Sequence, residues 1–189
     1  MRDAIKAKAI TLFEEKGFSE TSIQDIVEAM EVTKGTFYYY FSSKESLLME
    51  IHLEYIEGIL NEQAAIYEAP AKSSKEKLID TVFLLVTKIK TQGPSAKIFY
   101  REMRHLNQES YENIAGKRNE FRWNLQRVIE DGVRDGEFQK GLRPSITALA
   151  VLGITNWSYQ WFDPNGELLD EEVAQHFVEL ILQGIQIKE

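Results

Sequence analysis

The segment TKGTFYYYF, residues 33–41, gathers two threonines, a lysine, a glycine and three consecutive tyrosines between a pair of phenylalanines. Hydroxyls and an ammonium donate to phosphate oxygens and base edges, so the chemistry within reach is polyanion recognition rather than bond making. On a helix, at about 100° per residue, Phe37 and Phe41 share one face with Thr33 beside them. Gly35 and Tyr39 lie opposite, Thr36 and Tyr38 on their shoulders, and Lys34 and Tyr40 at the boundary. The phenylalanines therefore face a core and the donors face out. A glycine on the outer arc costs about 1 kcal/mol of helix propensity, which makes sense where another surface approaches closely. Lys34 and Lys44 add local positive charge. The competing reading of the same aromatics is a packing surface between helices.

The surrounding pattern positions this segment. Ala4, Ile5, Ala9, Leu12 and Phe13 make the apolar stripe of a first helix, which Gly17 ends. Thr21 with Gln24 reads as a capping box for a short second helix whose buried side is Ile23, Ile26 and Val27. Glu31 and Val32 break the period, and Thr33 caps the third helix. Ser42 with Glu45 opens a long fourth helix through Leu47, Leu48 and Ile51 toward Tyr67, closed by Pro70. Beyond the polar stretch APAKSSKE, helices are expected at 74–91, 95–107, 110–135, 144–162 and 170–187, punctuated by Gly93-Pro94, DGEFQKGLRP and DPNG. Alternating strand patterns are absent, so the chain reads as all-α. Two short helices across a tight turn, braced by a preceding one, form a helix-turn-helix, whose second helix enters the major groove of DNA. The expected organisation is a three-helix DNA-binding domain over 1–46 and a helical bundle for ligand binding and dimerisation over 47–189.

Composition narrows the classes. The chain of 189 residues carries a formal net charge of −8, so a nucleic-acid partner must be met by a local patch rather than by net charge. Residues 1–50 themselves carry six basic and nine acidic side chains. Without cysteine, disulfides, thiolate metal sites and a cysteine nucleophile are impossible. The N-terminus lacks a signal-peptide core, and runs such as FLLV at 83–86 are too short to span a bilayer, so a cytoplasmic protein without a membrane partner is expected. His52, His105 and His176 stand singly, without metal-ligand spacing. GEFQKGLR has Gly136 and Gly141 at phosphate-loop spacing, but Leu142 and Arg143 stand where Lys and Ser/Thr are needed. No catalytic residue, cofactor or metal site is expected, and the chain does not read as an enzyme.

The stretch AITLFEEKGFSETSIQDIVEAMEVTKGTFYYYFSSKESLL resembles the DNA-binding domain of the TetR family of transcriptional repressors, almost continuously over the first 50 residues. The resemblance implies a homodimer that binds a near-palindromic double-stranded operator and releases it when a small molecule enters the C-terminal domain. Carried over position by position, it implies that Thr33, Lys34, Gly35, Thr36, Tyr38 and Tyr39 touch bases or phosphates. It also implies that Lys44 binds a phosphate and that Thr21, Ser22 and Gln24 grip the backbone or a base. Two positions depart from the pattern. Glu31 stands where the turn usually holds Gly, so either a positive φ strains it by roughly 1 kcal/mol or the turn has a different shape. Only Met1 and Arg2 precede the first helix, where many relatives carry a basic arm.

In the second half, Phe83, Val86, Phe99, Met103, Trp123, Val128, Trp157 and Trp161 are candidate walls of a pocket, the competing reading being simple core packing. Asn156 is a polar group among the aromatics, and Arg104 and Arg127 could meet a phosphate or carboxylate or merely pair on the surface. GITNWSYQWFDPNGELLDEEVAQHFVELILQGI resembles the C-terminal segment of the TetR subgroup that controls fatty-acid, phenylacetate or sterol breakdown and responds to acyl-CoA thioesters. That implies an acyl chain lodged among the aromatics and a phosphorylated nucleotide near arginines, and the candidate ligand residues are Phe83, Phe99, Met103, Arg104, Trp123, Arg127, Asn156, Trp157 and Trp161. Val173, Phe177, Leu180, Ile181, Gly184 and Ile185 form a stripe on the last helix, which Ile146, Leu149, Ala150 and Gly153 could join in a four-helix dimer interface. Packing within one chain is the alternative for that stripe. For the whole protein the alternative is a helical acyl- or lipid-binding protein with no DNA role.

Overall fold

The computed structural model describes residues 1–186, and the expected end of the last helix at 187 lies outside them. Among the described residues the chain is all-α, with a lone antiparallel bridge between Phe138 and Gln186. It divides into two compact units, Met1–Glu57 with Gln92–Gly116, and Gly58–Thr91 with Lys117 onward.

In the first unit, α1 (Arg2–Lys16) buries Ile5, Ala9, Leu12 and Phe13. Gly17 stops it at φ +87°, donating its N–H to the carbonyl of Phe13. The edge of Phe18 then packs on Phe13, with centroids 5.2 Å apart. Helix α2 (Ile23–Glu28) is capped one residue later than expected. Ser22 Oγ accepts from Asp25 N, and the Asp25 carboxylate accepts the Ser22 N–H at 2.7 Å. Thr21 cannot be the cap because its hydroxyl is turned inward. Helix α3 (Lys34–Tyr40) is capped by Thr33 as expected, and α4 (Lys44–Glu68) opens on a reciprocal pair between Ser43 and Ser46 rather than Ser42 and Glu45. Phe37 and Phe41 enter one core with Ile5, Phe13, Ile26, Leu47, Leu48, Ile51 and Ile98.

Helix α5 (Ser74–Arg101) replaces the two helices expected on either side of Gly93-Pro94. The break survives as a kink at Gln92, where φ −131° and ψ 22° leave the helical region. Pro94, with no N–H and a ring against the preceding turn, accounts for it. The chain then makes a short 3₁₀ turn at Met103–His105, so the helix expected to reach 107 ends at Arg101. Helix α6 runs over Gln108–Arg134.

In the second unit, α7 (Pro144–Asn156), α8 (Ser158–Trp161) and α9 (Asp170–Ile185) follow. The helix expected over 144–162 is thus divided at Trp157, where Ser158 Oγ donates to the Thr155 carbonyl and the bonding register shifts. Leu78, Val82, Leu125, Ile129, Phe138, Val151 and Ile181 share the main core, and Val86, Ile89, Phe162, Val173 and Ala174 a second cluster. The glycine-bearing turn after α6 is structural. Phe138 plugs the core against Gly132, and the Glu137 carboxylate accepts the backbone N–H groups of Ser74 and Lys75 at the start of α5.

Candidate nucleic-acid interface and effector cleft

The wheel drawn on residues 33–41 holds. Phe37 is fully buried and Phe41 nearly so, whereas Tyr38 is 54% and Tyr39 81% exposed, with Tyr40 between. The Tyr39 and Tyr40 rings meet edge to face at 4.8 Å, which fixes the direction of the outer phenol. Lys34 and Gly35 are exposed. A Cβ on Gly35 would meet only Thr33 Oγ1, at 3.5 Å, so internal packing gives no reason for a glycine there. Thr33 Oγ1 accepts the Thr36 N–H and lies 3.1 Å from Thr36 Oγ1, so the two hydroxyls share one proton and leave the other for an incoming acceptor.

The turn before α3 has the geometry that a glycine usually supplies. Val32 N donates to Val27 O, Glu31 N donates to Glu28 O, and Glu31 sits at φ +54°. These are the paired bonds of a Schellman motif, with glutamate in its left-handed position. Among the described residues Glu31 is the non-glycine residue at positive φ, so of the two alternatives the strained turn is the one present.

Four other expected contacts are placed differently. Thr21 is fully buried, and its hydroxyl donates toward Gly17 O at 2.9 Å and Leu12 O at 3.2 Å, so it braces α1 against α2 instead of facing DNA. Ser22 directs its hydroxyl at the Asp25 carboxylate, 2.6 Å away, which leaves no proton for a phosphate. Those Ser22 bonds hold the Asp25 carboxyl below its usual range. Gln24 is exposed with its amide turned to Glu28. Lys44 donates to the carbonyls of Phe18 and Thr21, both at 2.7 Å, and its ammonium lies 4.1 Å from the centre of the Phe18 ring. Lys44 is therefore a staple that fixes the start of α4 to the α1–α2 loop, and one ammonium proton remains for a phosphate.

In the second unit, Phe83 and Trp161 do converge. With Leu168, Val173 and Phe177 they wall an open cleft of about 750 Å³, whose rim carries Glu171, Glu172, Gln175, His176 and Glu179. Trp161 meets Phe177 edge to face at 6.3 Å. The sequence reading missed Leu168, Gln175 and His176, and assigned Phe177 to another surface. The i, i+4 repeat of Glu171, Gln175 and Glu179 marks one side of α9, but nothing local says that it faces a cleft.

The other expected ligand residues are not in this cleft. Trp157 and Trp123 are exposed, the latter 5.6 Å from the Arg122 guanidinium, and Asn156 is half-buried. Arg127 stacks over Tyr67 at 4.5 Å. Phe99, Met103 and Arg104 belong to the first unit. There Phe99 packs on Tyr55 at 4.9 Å, Met103 is buried, and Arg104 donates to His105 Nε2 at 3.2 Å.

The expected dimer stripe also separates. Val173 and Ile181 are largely buried in the protomer's own clusters, with 6% of each exposed, and Phe177 is half-buried beside Trp161. Leu149, Gly153, Leu180 and Gly184 are exposed, as are Ile146, Ala150 and Trp157. Ile146, Leu149, Ala150 and Gly153 recur at i, i+3, i+4 and i+7 on α7, and Trp157 at its C-cap continues the series at i+11, an apolar line along one side.

A braced helix-turn-helix with an outward-facing second helix, followed by a separate helical unit that holds a ligand-sized cleft, defines a DNA-binding transcriptional regulator. Residues 5–51 match the profile of bacterial regulatory proteins of the tetR family, and residues 71–185 match that of the tetracyclin repressor-like C-terminal domain. The chain belongs to the TetR family and is a regulator, not an enzyme. It is 28% identical over 181 residues to the HTH-type transcriptional repressor KstR2 of Rhodococcus jostii, covering 94% of this chain and 87% of that one. The TetR family regulator PfmR of Thermus thermophilus superposes with a TM-score of 0.89 at 29% identity, over 98% of this chain and 99% of that one. AibR, solved in complex with isovaleryl coenzyme A and operator DNA, superposes with a TM-score of 0.83 at 26% identity, over 95% and 96% of the two chains. Among the described residues no helix is long and apolar enough to cross a membrane.

Proposed function

We propose that this protein is a homodimeric, ligand-responsive repressor that acts in the cytoplasm, binding a near-palindromic operator and releasing it when an acyl-CoA thioester is bound. The observation that carries the reading is the two-sidedness of α3. Its phenylalanines are locked in the core while Thr33, Lys34, Gly35, Thr36, Tyr38 and Tyr39 are available to DNA. Gly35 lets the helix approach the duplex, Lys34 and the tyrosines donate to phosphates, and Thr36 reaches a base edge or phosphate. Gln24 and the remaining proton of Lys44 supplement them, while Thr21 and Ser22 support the geometry.

The apolar line on α7, with Leu180 and Gly184 of α9, supports an isologous interface that sets the two reading helices about 34 Å apart. The cleft walled by Phe83, Trp161 and Phe177 suits an acyl group. Its carboxylates Glu171, Glu172 and Glu179 would repel phosphates, so the nucleotide end of the thioester is held outside it. The thioester reading is supported by the likeness to AibR. Effector binding shifts the population between states of different operator affinity.

A gel shift against the region upstream of the protein's own gene tests the first half, and absence of salt-sensitive binding at any concentration overturns it. Calorimetry with isovaleryl-CoA and longer thioesters tests the second. Binding of free acids or cationic dyes, with no thioester bound, would overturn the effector assignment while leaving the repressor intact.

A further inference from the structure

Arg2 begins α1 in sequence but reaches the far end of the reading helix. Its Nη1 donates to the carbonyl of Tyr40, the last residue of α3, at 3.5 Å. Its guanidinium lies 5.0 Å from the centre of the Phe41 ring. Nε donates to Glu50 Oε1 at 3.2 Å, and Nη2 donates to Glu50 Oε2. The Arg2 side chain is nonetheless 51% exposed. Lys6 shares the same carboxylate but is enclosed, at 14% exposure, with Glu54 2.5 Å away and Asp3 3.7 Å away. Lys34 at the first residue of α3 and Arg2 beside its last thus place an exposed cation at each end of the helix.

We propose that Arg2 is a phosphate-contacting residue of the DNA interface, aimed by Phe41 and the Tyr40 carbonyl, and that Glu50 is an internal counter-ion with which the DNA backbone competes. A guanidinium presents five N–H donors in a planar fork that suits phosphate as well as carboxylate. Three are directed at Glu50 and Tyr40, so the remainder can meet a phosphate oxygen at once, and the Glu50 pair can open afterwards. Stacking on Phe41 keeps the fork in place through that exchange. This role of Arg2 rests on the outward orientation of α3 proposed above.

Fluorescence anisotropy of the full-length protein on a labelled duplex of mixed sequence, titrated across a range of KCl concentrations, tests it. Arg2→Gln is expected to weaken binding about tenfold per subunit, the loss of one charge-assisted contact in each. It should also flatten the log–log salt slope by about 0.9 per subunit, one phosphate's worth of released counterion. Arg2→Lys keeps the charge and should keep the slope. Glu50→Gln removes the competitor and should tighten binding. If Arg2 only anchors α1, both Arg2 variants lower the melting temperature while the slope stays at the wild-type value, and the proposal falls. Weaker binding by Glu50→Gln overturns the competition. Absence of binding by the wild-type protein at every salt concentration would instead strike at the orientation of α3 itself.

Discussion

Replacing Glu31 by glycine should stabilise the protein, which is the reverse of what most substitutions do. Glu31 occupies the left-handed position of the turn between α2 and α3 at φ +54°, pinned there by its own N–H to Glu28 O at 3.1 Å and by Val32 N to Val27 O at 3.0 Å. An L-residue in that conformation is strained by about 1–2 kcal/mol. Glycine removes the strain but loses more chain entropy on folding, about 0.5–1 kcal/mol. The difference is a net gain of roughly 0.5–1 kcal/mol, or an increase in melting temperature of about 1–4 °C for a chain of this size. The Glu31 side chain is exposed, and no hydrogen bond or ion pair of its carboxylate is found among the described residues, so little is lost with it. Urea denaturation of Glu31→Gly, Glu31→Ala and the wild type separates the contributions. Alanine removes the same charge but keeps the strain, so Ala should match the wild type and Gly exceed both. Equal stability of the Gly and Ala variants would refute the strain argument. Both remove a negative charge beside α3, so any gain in DNA affinity should be common to them.

Other consequences are equally direct. Gly132→Ala would place a Cβ 2.3 Å from the Phe138 ring and 3.0 Å from Ser74 Cβ, and should lower stability by about 1–3 kcal/mol in chemical denaturation. Lys44→Met removes the staple to Phe18 and Thr21 and should cost about 2 kcal/mol of stability, since the hydrogen bonds lost are to a charged donor. Hydrogen bonds from Ser22, Arg2 and Ser73 hold the carboxyls of Asp25, Glu50 and Glu76, respectively, below their ordinary values. A depressed folded pKa contributes stability that is present above the unfolded value and disappears as pH falls through the folded one. The urea midpoint should therefore be insensitive to these groups near neutrality and decline from about pH 4 downward.

Local physics made the two sides of α3 readable from sequence. The 3.6-residue period separated Phe37 and Phe41 from Tyr38 and Tyr39, and a non-glycine residue at the turn exposed the positive φ of Glu31. Where two hydroxyls are adjacent, as at Thr21-Ser22 and Ser42-Ser43, spacing alone placed the cap one residue early. The choice is made by which side chain the core admits, and Thr21 is drawn inward by Leu12 O and Gly17 O. Long-range partners were less legible. The stripe on α9 told that one side is apolar but not that its core-facing half, Val173 and Ile181, belongs to the chain's own interior. Phe83 and Trp161 were recognisable as candidate walls, but the carboxylate rim beside them depends on the rotation of α9. Arg2 acquires its place through contacts with Tyr40, Phe41 and Glu50 more than 35 residues away.

If α3 reads DNA with uncharged phenols on its outer side, the Tyr39 hydroxyl matters for binding and not for folding, and Tyr39→Phe separates the two. At 81% exposure the hydroxyl is not needed for folding, so the melting temperature should stay within about 1–2 °C of the wild type. Anisotropy on the upstream operator should show affinity reduced about tenfold per subunit, the loss of one hydrogen bond to a charged acceptor in each. The salt slope should be unchanged, because no cation is removed. Wild-type operator affinity in a folded Tyr39→Phe variant would contradict the account.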